Sequence, residues 1–188
     1  RQLQGGYFSE NTSVKLIAFA GKEKTYHAWG YATKAEMEEH GRRYNPCGEY
    51  TGDDNEKHYY ADQTDNYLQK NYQLLFNHTF STAWNLNVAL HYTKGDGYYE
   101  EYKPGSSLVE YGLKPFNPDG TETNESDLVR QKKMDNKFGG GVFSLNYTGN
   151  RLTASLGGGL NQYRGNNFGK VTWVKNYIGN LSPEHEYY

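Results

Sequence analysis

The chain has 188 residues, with 20 Lys and Arg against 22 Asp and Glu, a formal net charge of −2. A balance so close to neutral excludes nucleic-acid binding by bulk charge. Tyr (19), Gly (22) and Asn (18) together supply 59 residues, beside 5 Pro, 2 Met and one Cys, which is a composition of strands, turns and aromatic surface rather than of a helical core.

Only 35% of the residues are hydrophobic, whereas a soluble domain carries roughly 45–50% when Gly is counted. Gly lifts this chain to about that level but packs nothing. The length suits one domain, yet side chains able to fill a core are few, so the chain reads as a poorly cored sheet or as part of something larger. No stretch approaches the roughly 18–20 consecutive apolar residues of a transmembrane helix. The start, Arg1-Gln2-Leu3-Gln4-Gly5-Gly6, has neither an initiator Met nor an apolar leader, which reads as a chain beginning inside a longer protein. A lone Cys47 excludes an intrachain disulfide framework and a Cys-based zinc site.

In chain order, the first hairpin is expected over about 3–27. Gly5 to Phe8 leads to a turn at Ser9-Glu10-Asn11-Thr12, and Val14, Leu16, Ala18 and Ala20 then recur in phase. A long loop follows over about 22–64. Within it Thr33-Lys34-Ala35-Glu36 is a capping box, opening a helix of about two turns through Met37 to His40, with Gly41 as its left-handed C-cap.

The second hairpin, about 65–102, carries the clearest period of two. Tyr72, Leu74, Phe76, His78 and Phe80 share one face, with Gln73, Asn77 and Thr79 on the other. After a break at Ser81-Thr82-Ala83, Trp84, Leu86, Val88, Leu90 and Tyr92 alternate with Asn85, Asn87, Ala89 and His91. A loop over about 103–129 separates it from the third hairpin, about 130–165. There Phe143, Leu145 and Tyr147 precede a turn at Thr148-Gly149-Asn150-Arg151, and Leu152, Ala154, Leu156, Gly158 and Leu160 follow in phase. The remainder, about 166–188, reads as a loop.

Six long strands with one apolar face, short turns at one end and long loops at the other describe part of an outer-membrane β-barrel. A tilted strand needs about 9–11 residues to cross a bilayer, and Tyr72, Phe80, Trp84, Tyr92 and Tyr147 lie near strand ends, where aromatic rings anchor at interfaces. Alternation alone equally describes a soluble antiparallel sheet whose apolar face packs on a second sheet; the inequality of the loops favours the barrel. The fold class is therefore all-β, with antiparallel long-strand hairpins forming part of a transmembrane β-barrel, long extracellular loops and one short loop helix.

Several segments resemble a known family. Lys22 to Tyr31, Arg42-Arg43-Tyr44-Asn45-Pro46, Asp65 to Tyr102, and Met134-Asp135-Asn136-Lys137-Phe138-Gly139 leading into Phe143-Ser144-Leu145-Asn146-Tyr147 look like TonB-dependent outer-membrane receptors of Bacteroidetes-type bacteria. His91 to Lys103 is the most specific of them. The resemblance covers nearly the whole chain. It implies a 22-stranded barrel closed by a plug domain, which imports a scarce nutrient such as a siderophore, cobalamin or a glycan with energy relayed by TonB. It also implies an outer-membrane location, extracellular loops, contact with outer-membrane lipid, and a possible surface lipoprotein as partner. Plug, TonB-box-like segment and terminal aromatic strand have no counterpart in this sequence. About six strands cannot close a barrel, so the chain alone is not transport-competent and is expected to self-associate through its sheet edges.

Signals for an enzyme are weak. His27, His40, His58, His78, His91 and His185 show no paired metal spacing, and no G-x-S-x-G elbow occurs. Gly95-Asp96-Gly97, Gly139-Gly140-Gly141 and Gly157-Gly158-Gly159 lack the strand-to-helix context of a phosphate loop. Asp53-Asp54-Asn55-Glu56 with Asp62 and Asp65 offers oxygen ligands, but the spacing is not that of an EF-hand and Lys57 interrupts it, so a solvated acidic loop is expected. No cofactor or metal is expected. Asn11-Thr12-Ser13, Asn77-His78-Thr79, Asn124-Glu125-Ser126 and Asn146-Tyr147-Thr148 match the glycosylation sequon, as an Asn-rich chain does readily.

The candidate ligand-binding residues are the loop aromatics Tyr26, Trp29, Tyr31, Tyr59, Tyr60, Tyr98, Tyr99 and Tyr102, with His27 among them. Such rings combine contact area with a polar handle. An interfacial aromatic girdle, or loops packed on one another, accounts for the same residues. The competing function is a soluble or surface-attached all-β module for a carbohydrate-type ligand, using the same rings.

Overall fold

A computed structural model describes residues 1–113, 119–175, 177 and 185–188. The protein is all-β, built on an antiparallel six-stranded sheet. Its strands are β1 (Gln2–Phe8), β2 (Thr12–Tyr26), β5 (Thr64–Thr79), β6 (Trp84–Ser107), β7 (Glu125–Thr148) and β8 (Thr153–Val174). They lie in the order β1-β2-β5-β6-β7-β8, so every strand neighbours the one before it in the sheet. A helix α1 (Lys34–His40) and a two-stranded sheet of β3 (Glu49–Thr51) and β4 (Lys57–Tyr59) fill the connection between β2 and β5.

Strands run further than the alternation alone indicates. β6 continues to Ser107 and β8 to Val174, where loops are expected from 103 and 166. Beyond those points the side chains no longer alternate apolar with polar, so period two stops before the backbone pairing does. The capping box forms as expected: Thr33 N donates to Glu36 Oε2 at 2.7 Å and Glu36 N to Thr33 Oγ1 at 3.2 Å. Gly41 departs from expectation, because its φ of 87° comes with a ψ of 167°, outside the left-handed helical region.

The chain divides into two compact units. Unit 1 comprises 1–22, 68–96 and 135–166; unit 2 comprises 23–67, 97–134 and 167–188.

Unit 1 has no core. Gly95 is its only buried residue. One face of its sheet carries Leu3 and Ala18, Gly5 and Leu16, and Tyr7 and Val14 as directly opposed pairs of β1 and β2. The same face continues through the Tyr72 and Tyr92 rings, with centroids 6.4 Å apart, and the Trp84 and Tyr147 rings, 4.8 Å apart. Gly141 lies against Leu90, and Gly158 against Phe143, which extends that face to β8. Leu3, Leu16, Leu90, Phe143, Leu156 and Leu160 are all exposed on it.

The opposite face of unit 1 is a hydrogen-bonded polar surface. Asn77 Nδ2 donates to Ser13 Oγ at 3.1 Å, linking β5 to β2. From Asn87, Nδ2 donates to Asn85 Oδ1 at 2.8 Å and to Ser144 Oγ at 3.2 Å. Ser155 Oγ donates to Asn146 Oδ1 at 2.7 Å, joining β8 to β7. His91 Nε2 lies 2.8 Å from Asn161 Oδ1. Amides and hydroxyls one strand apart satisfy one another here, as cross-strand pairs do.

Unit 2 holds the hydrophobic core. Leu108, Tyr111, Leu113, Leu128, Val171 and Val174 are buried together, with Tyr177 and Tyr187 packed against them. A 3₁₀ turn, Val109–Tyr111, closes at Gly112 with φ 65° and ψ 22°, the left-handed conformation that glycine adopts without steric cost.

Candidate functional site

All eight candidate aromatics fall in unit 2, and the structure distributes six of them among three clusters. In the first, the connection after β2 folds back so that His27 N donates to Gln63 O at 2.9 Å and Asn45 Nδ2 donates to His27 O at 2.6 Å. These bonds pin the His27 ring 3.8 Å from Trp29, and Tyr99 meets both rings edge-on at 5.9 and 5.2 Å. His27 is 1% exposed. Its Nε2 is 3.6 Å from Asp65 Oδ2, beyond hydrogen-bond length, and neither ring nitrogen has a hydrogen-bond partner among the described residues. Tyr26 closes the cluster from the side, its hydroxyl donating to Cys47 O at 2.9 Å and Tyr60 O at 3.0 Å.

The second cluster surrounds a recess of about 460 Å³. Tyr50 and Tyr102 lie with centroids 4.3 Å apart at an interplanar angle of 31°, and Trp173 lies 6.1 Å beyond Tyr102 at 28°. Polar groups rim the rings: Asp53, Asp54, His58, Asp127 and Lys175. Tyr102 donates its hydroxyl to Asp127 Oδ2 at 2.7 Å, and burial followed by that carboxylate pushes the phenol well above its ordinary pKa. Lys175 pairs with Asp53 and lies 3.8 Å from Asp127. Asp54 accepts from Glu56 N at 3.0 Å and lies 2.9 Å from His58 Nε2. Those two contacts, the backbone one first, hold its carboxyl below the ordinary range.

Glu49 organises the third. Its Oε2 accepts from Tyr44 at 2.7 Å and Tyr59 at 3.0 Å, and its Oε1 pairs with Lys57 at 2.8 Å. Burial pushes this carboxyl upward, but the three hydrogen bonds outweigh it and the pKa is lowered.

Two of the expected aromatics stand outside these clusters. Tyr31 is 97% exposed. Tyr98 is held by Lys133, whose Nζ sits 5.2 Å from its ring centroid. Tyr60 donates to Glu100 Oε1 at 2.6 Å and lies 5.8 Å from Tyr102. In the acidic loop Asp62 pairs with Lys24 at 2.8 Å, Asp53 pairs with Lys175, and Asp54 faces the His58 ring. Among the described residues no group of three or more His, Cys, Asp or Glu is placed to hold a metal ion.

Tyr50, Trp173, Asp127 and Lys175 line this recess, and sequence reasoning does not single them out. Trp173 lies in a segment lacking alternation, and only the pairing of β7 with both β6 and β8 brings it to Tyr102. The rings of the second cluster combine an apolar platform with both donors and acceptors, which suits a polar ligand with one flat apolar side.

Comparison with known proteins adds no relative: no family model, no curated protein and no solved structure matches this chain.

Proposed function

We propose that the chain is part of an outer-membrane β-barrel receptor of the TonB-dependent type, with 1–22, 68–96 and 135–166 in the bilayer and the loops of unit 2 presenting the ligand-binding surface. One observation carries the reading. Unit 1 is a multi-strand sheet with an apolar face across every strand and nothing among the described residues packed on it. In water such a face is a liability, costing about 25 cal/mol per Å² of exposed apolar surface; in lipid it is the outer wall of a barrel, and the Asn and Ser face becomes the lumen side. The portions of β5 to β8 within unit 1 are each longer than the about 9–11 residues of a tilted crossing. Uptake of a scarce nutrient, with plug and TonB supplied by the rest of the receptor, follows from the family resemblance.

The test is depth-dependent quenching. With Trp29 and Trp173 replaced by Phe, Trp84 is the sole Trp of the chain. Vesicles of brominated phosphatidylcholine are expected to quench it most when the bromines sit near the headgroup. Unchanged fluorescence, with Trp84 still open to aqueous acrylamide, would overturn the reading.

A second reading, a soluble or surface-attached carbohydrate-type module, is favoured by the Tyr50, Tyr102 and Trp173 recess with its rim of carboxylates. It requires Leu86 and Val88 to be buried against a second sheet, which the same quenching experiment distinguishes.

A further inference from the structure

The apolar face of unit 1 ends in a row of cations, one on each of four neighbouring strands. Thr93 Oγ1 donates to Asn71 Oδ1 at 2.8 Å, so β5 and β6 are in step there and the Tyr72 and Tyr92 rings stand side by side on the apolar face. One alternation further from the 80–83 turn, the same face carries Lys70 on β5 and Lys94 on β6. Lys70 lines a recess with Tyr72, Ala18 and Ala20. On the other side of Tyr92, a recess of about 310 Å³ is lined by Tyr92, Gly139, Gln162, Lys137 and Arg164, which places Lys137 of β7 and Arg164 of β8 in the same row.

Among the described residues no ion pair neutralises this row. Lys70, Lys94, Lys137 and Arg164 make no ion pair or hydrogen bond among the described residues. The next alternation along the same face carries Asp96, Asp135 and Lys22, and neither carboxylate is paired with a member of the row. Like charges on adjacent strands repel, so four in a line raise the energy of the sheet unless an anion joins them. Their position matters as much as their sign. Below the row lie the two Tyr rings and then Leu74, Leu90 and Phe143, the order of aromatic belt and hydrocarbon-facing surface. Lys side chains reach outward from such a belt while their stems stay on apolar surface, and the Arg guanidinium fork matches two phosphate oxygens.

We infer that Lys70, Lys94, Lys137 and Arg164 bind the phosphates of lipid headgroups, in the leaflet met by the strand ends opposite the short turns. This inference rests on the membrane reading proposed above. The occupant is a phosphate-bearing lipid rather than free phosphate because the cations border an apolar face that acyl chains cover, so one ligand satisfies both surfaces.

The 188-residue chain is to be measured by co-flotation with vesicles of phosphatidylcholine alone and of phosphatidylcholine containing phosphatidic acid. Each basic residue near an anionic surface is worth about five-fold in affinity, so phosphatidic acid is expected to tighten binding by roughly 10²–10³-fold, and the gain is expected to shrink with salt. Replacing Lys70, Lys94, Lys137 and Arg164 together by Gln should remove the gain and leave binding to phosphatidylcholine intact. Replacing the three lysines by Arg should retain it. If phosphatidic acid adds nothing, or the Gln variant keeps the gain, the lipid site is overturned and the membrane reading stands. If millimolar inorganic phosphate abolishes the gain in competition, the row holds a small anion and the lipid assignment is overturned. Absence of binding to either vesicle overturns both readings.

Discussion

Arg130 donates to Glu101 through two nitrogens that converge on one carboxylate oxygen, Nη2 at 2.7 Å and Nε at 2.8 Å from Oε2. Its remaining arm, Nη1, reaches the Tyr111 hydroxyl at 3.1 Å, and Tyr111 belongs to the core of unit 2. The pair thus joins β6 and β7 to the 3₁₀ turn between them. Removing one member leaves the other charge mostly out of water. Glu101→Ala is expected to cost about 2–3 kcal/mol, below the largest values for fully buried pairs because both residues keep some solvent contact. Replacing both residues by apolar ones of similar size should recover most of that loss. Denaturant unfolding of the single and double variants checks it, and a double variant as unstable as Glu101→Ala would contradict it.

On the polar face of unit 1, Ser144 Oγ accepts from Asn87 and, at 3.3 Å, from Asn146. Ser144→Ala leaves two amide donors short of an acceptor. A loss of about 1 kcal/mol is expected, with Ser144→Thr largely neutral because the hydroxyl is kept. Amide exchange along β6 and β7 reads the difference.

Gly97 is buried, and a Cβ there would stand 2.5 Å from the Asn66 carbonyl oxygen and 2.6 Å from the Tyr67 ring. The first obstacle is backbone, which cannot swing aside. Gly97→Ala is therefore expected to cost about 1–3 kcal/mol, whereas Gly5→Ala, where nothing lies within 4 Å, should be nearly silent. Thermal unfolding of the two variants gives the comparison.

The Glu49 carboxyl is held below its ordinary value of 4.5 by Lys57, Tyr44 and Tyr59. Its contribution to stability is complete above that value and is lost as pH falls through the lowered one. Acidification in that window is expected to loosen the β3–β4 pair while the core around Leu128 persists. Glu49→Gln should remove this acid dependence, followed by the tyrosine signals of Tyr44 and Tyr59 across a pH titration.

Alternation made the strands legible. Leu86, Val88 and Leu90 could be assigned to one face, and Asn85 and Asn87 to the other, because a strand's side-chain period is two whatever lies beside it. Thr33 and Glu36 likewise announce their helix within four residues. What could not be read depends on register between strands. Ser144 gives no sign in sequence of being the acceptor for Asn87, nor Trp173 of standing beside Tyr102. Lys70, Lys94, Lys137 and Arg164 are four among 20 basic residues until pairing aligns them. The core residues Leu108, Leu128 and Val171 were hidden for a different reason: they sit where strand and loop meet, and no periodicity marks them.

β8 forms one edge of the sheet over 22 residues, and β1 the other over 7. An edge strand turns alternate residues outward, so the part of β8 within unit 1, 153–166, presents about seven backbone N–H groups and as many carbonyls that no strand among the described residues receives. Water meets that demand at no cost; hydrocarbon does not, and each orphaned group there costs several kcal/mol. β1, with 7 residues, could cover only half of that stretch. Entry into a bilayer and acquisition of a neighbouring strand along β8, which a second copy of the chain can supply, are then one event rather than two, and that strand must be in place before, or as, the sheet leaves water.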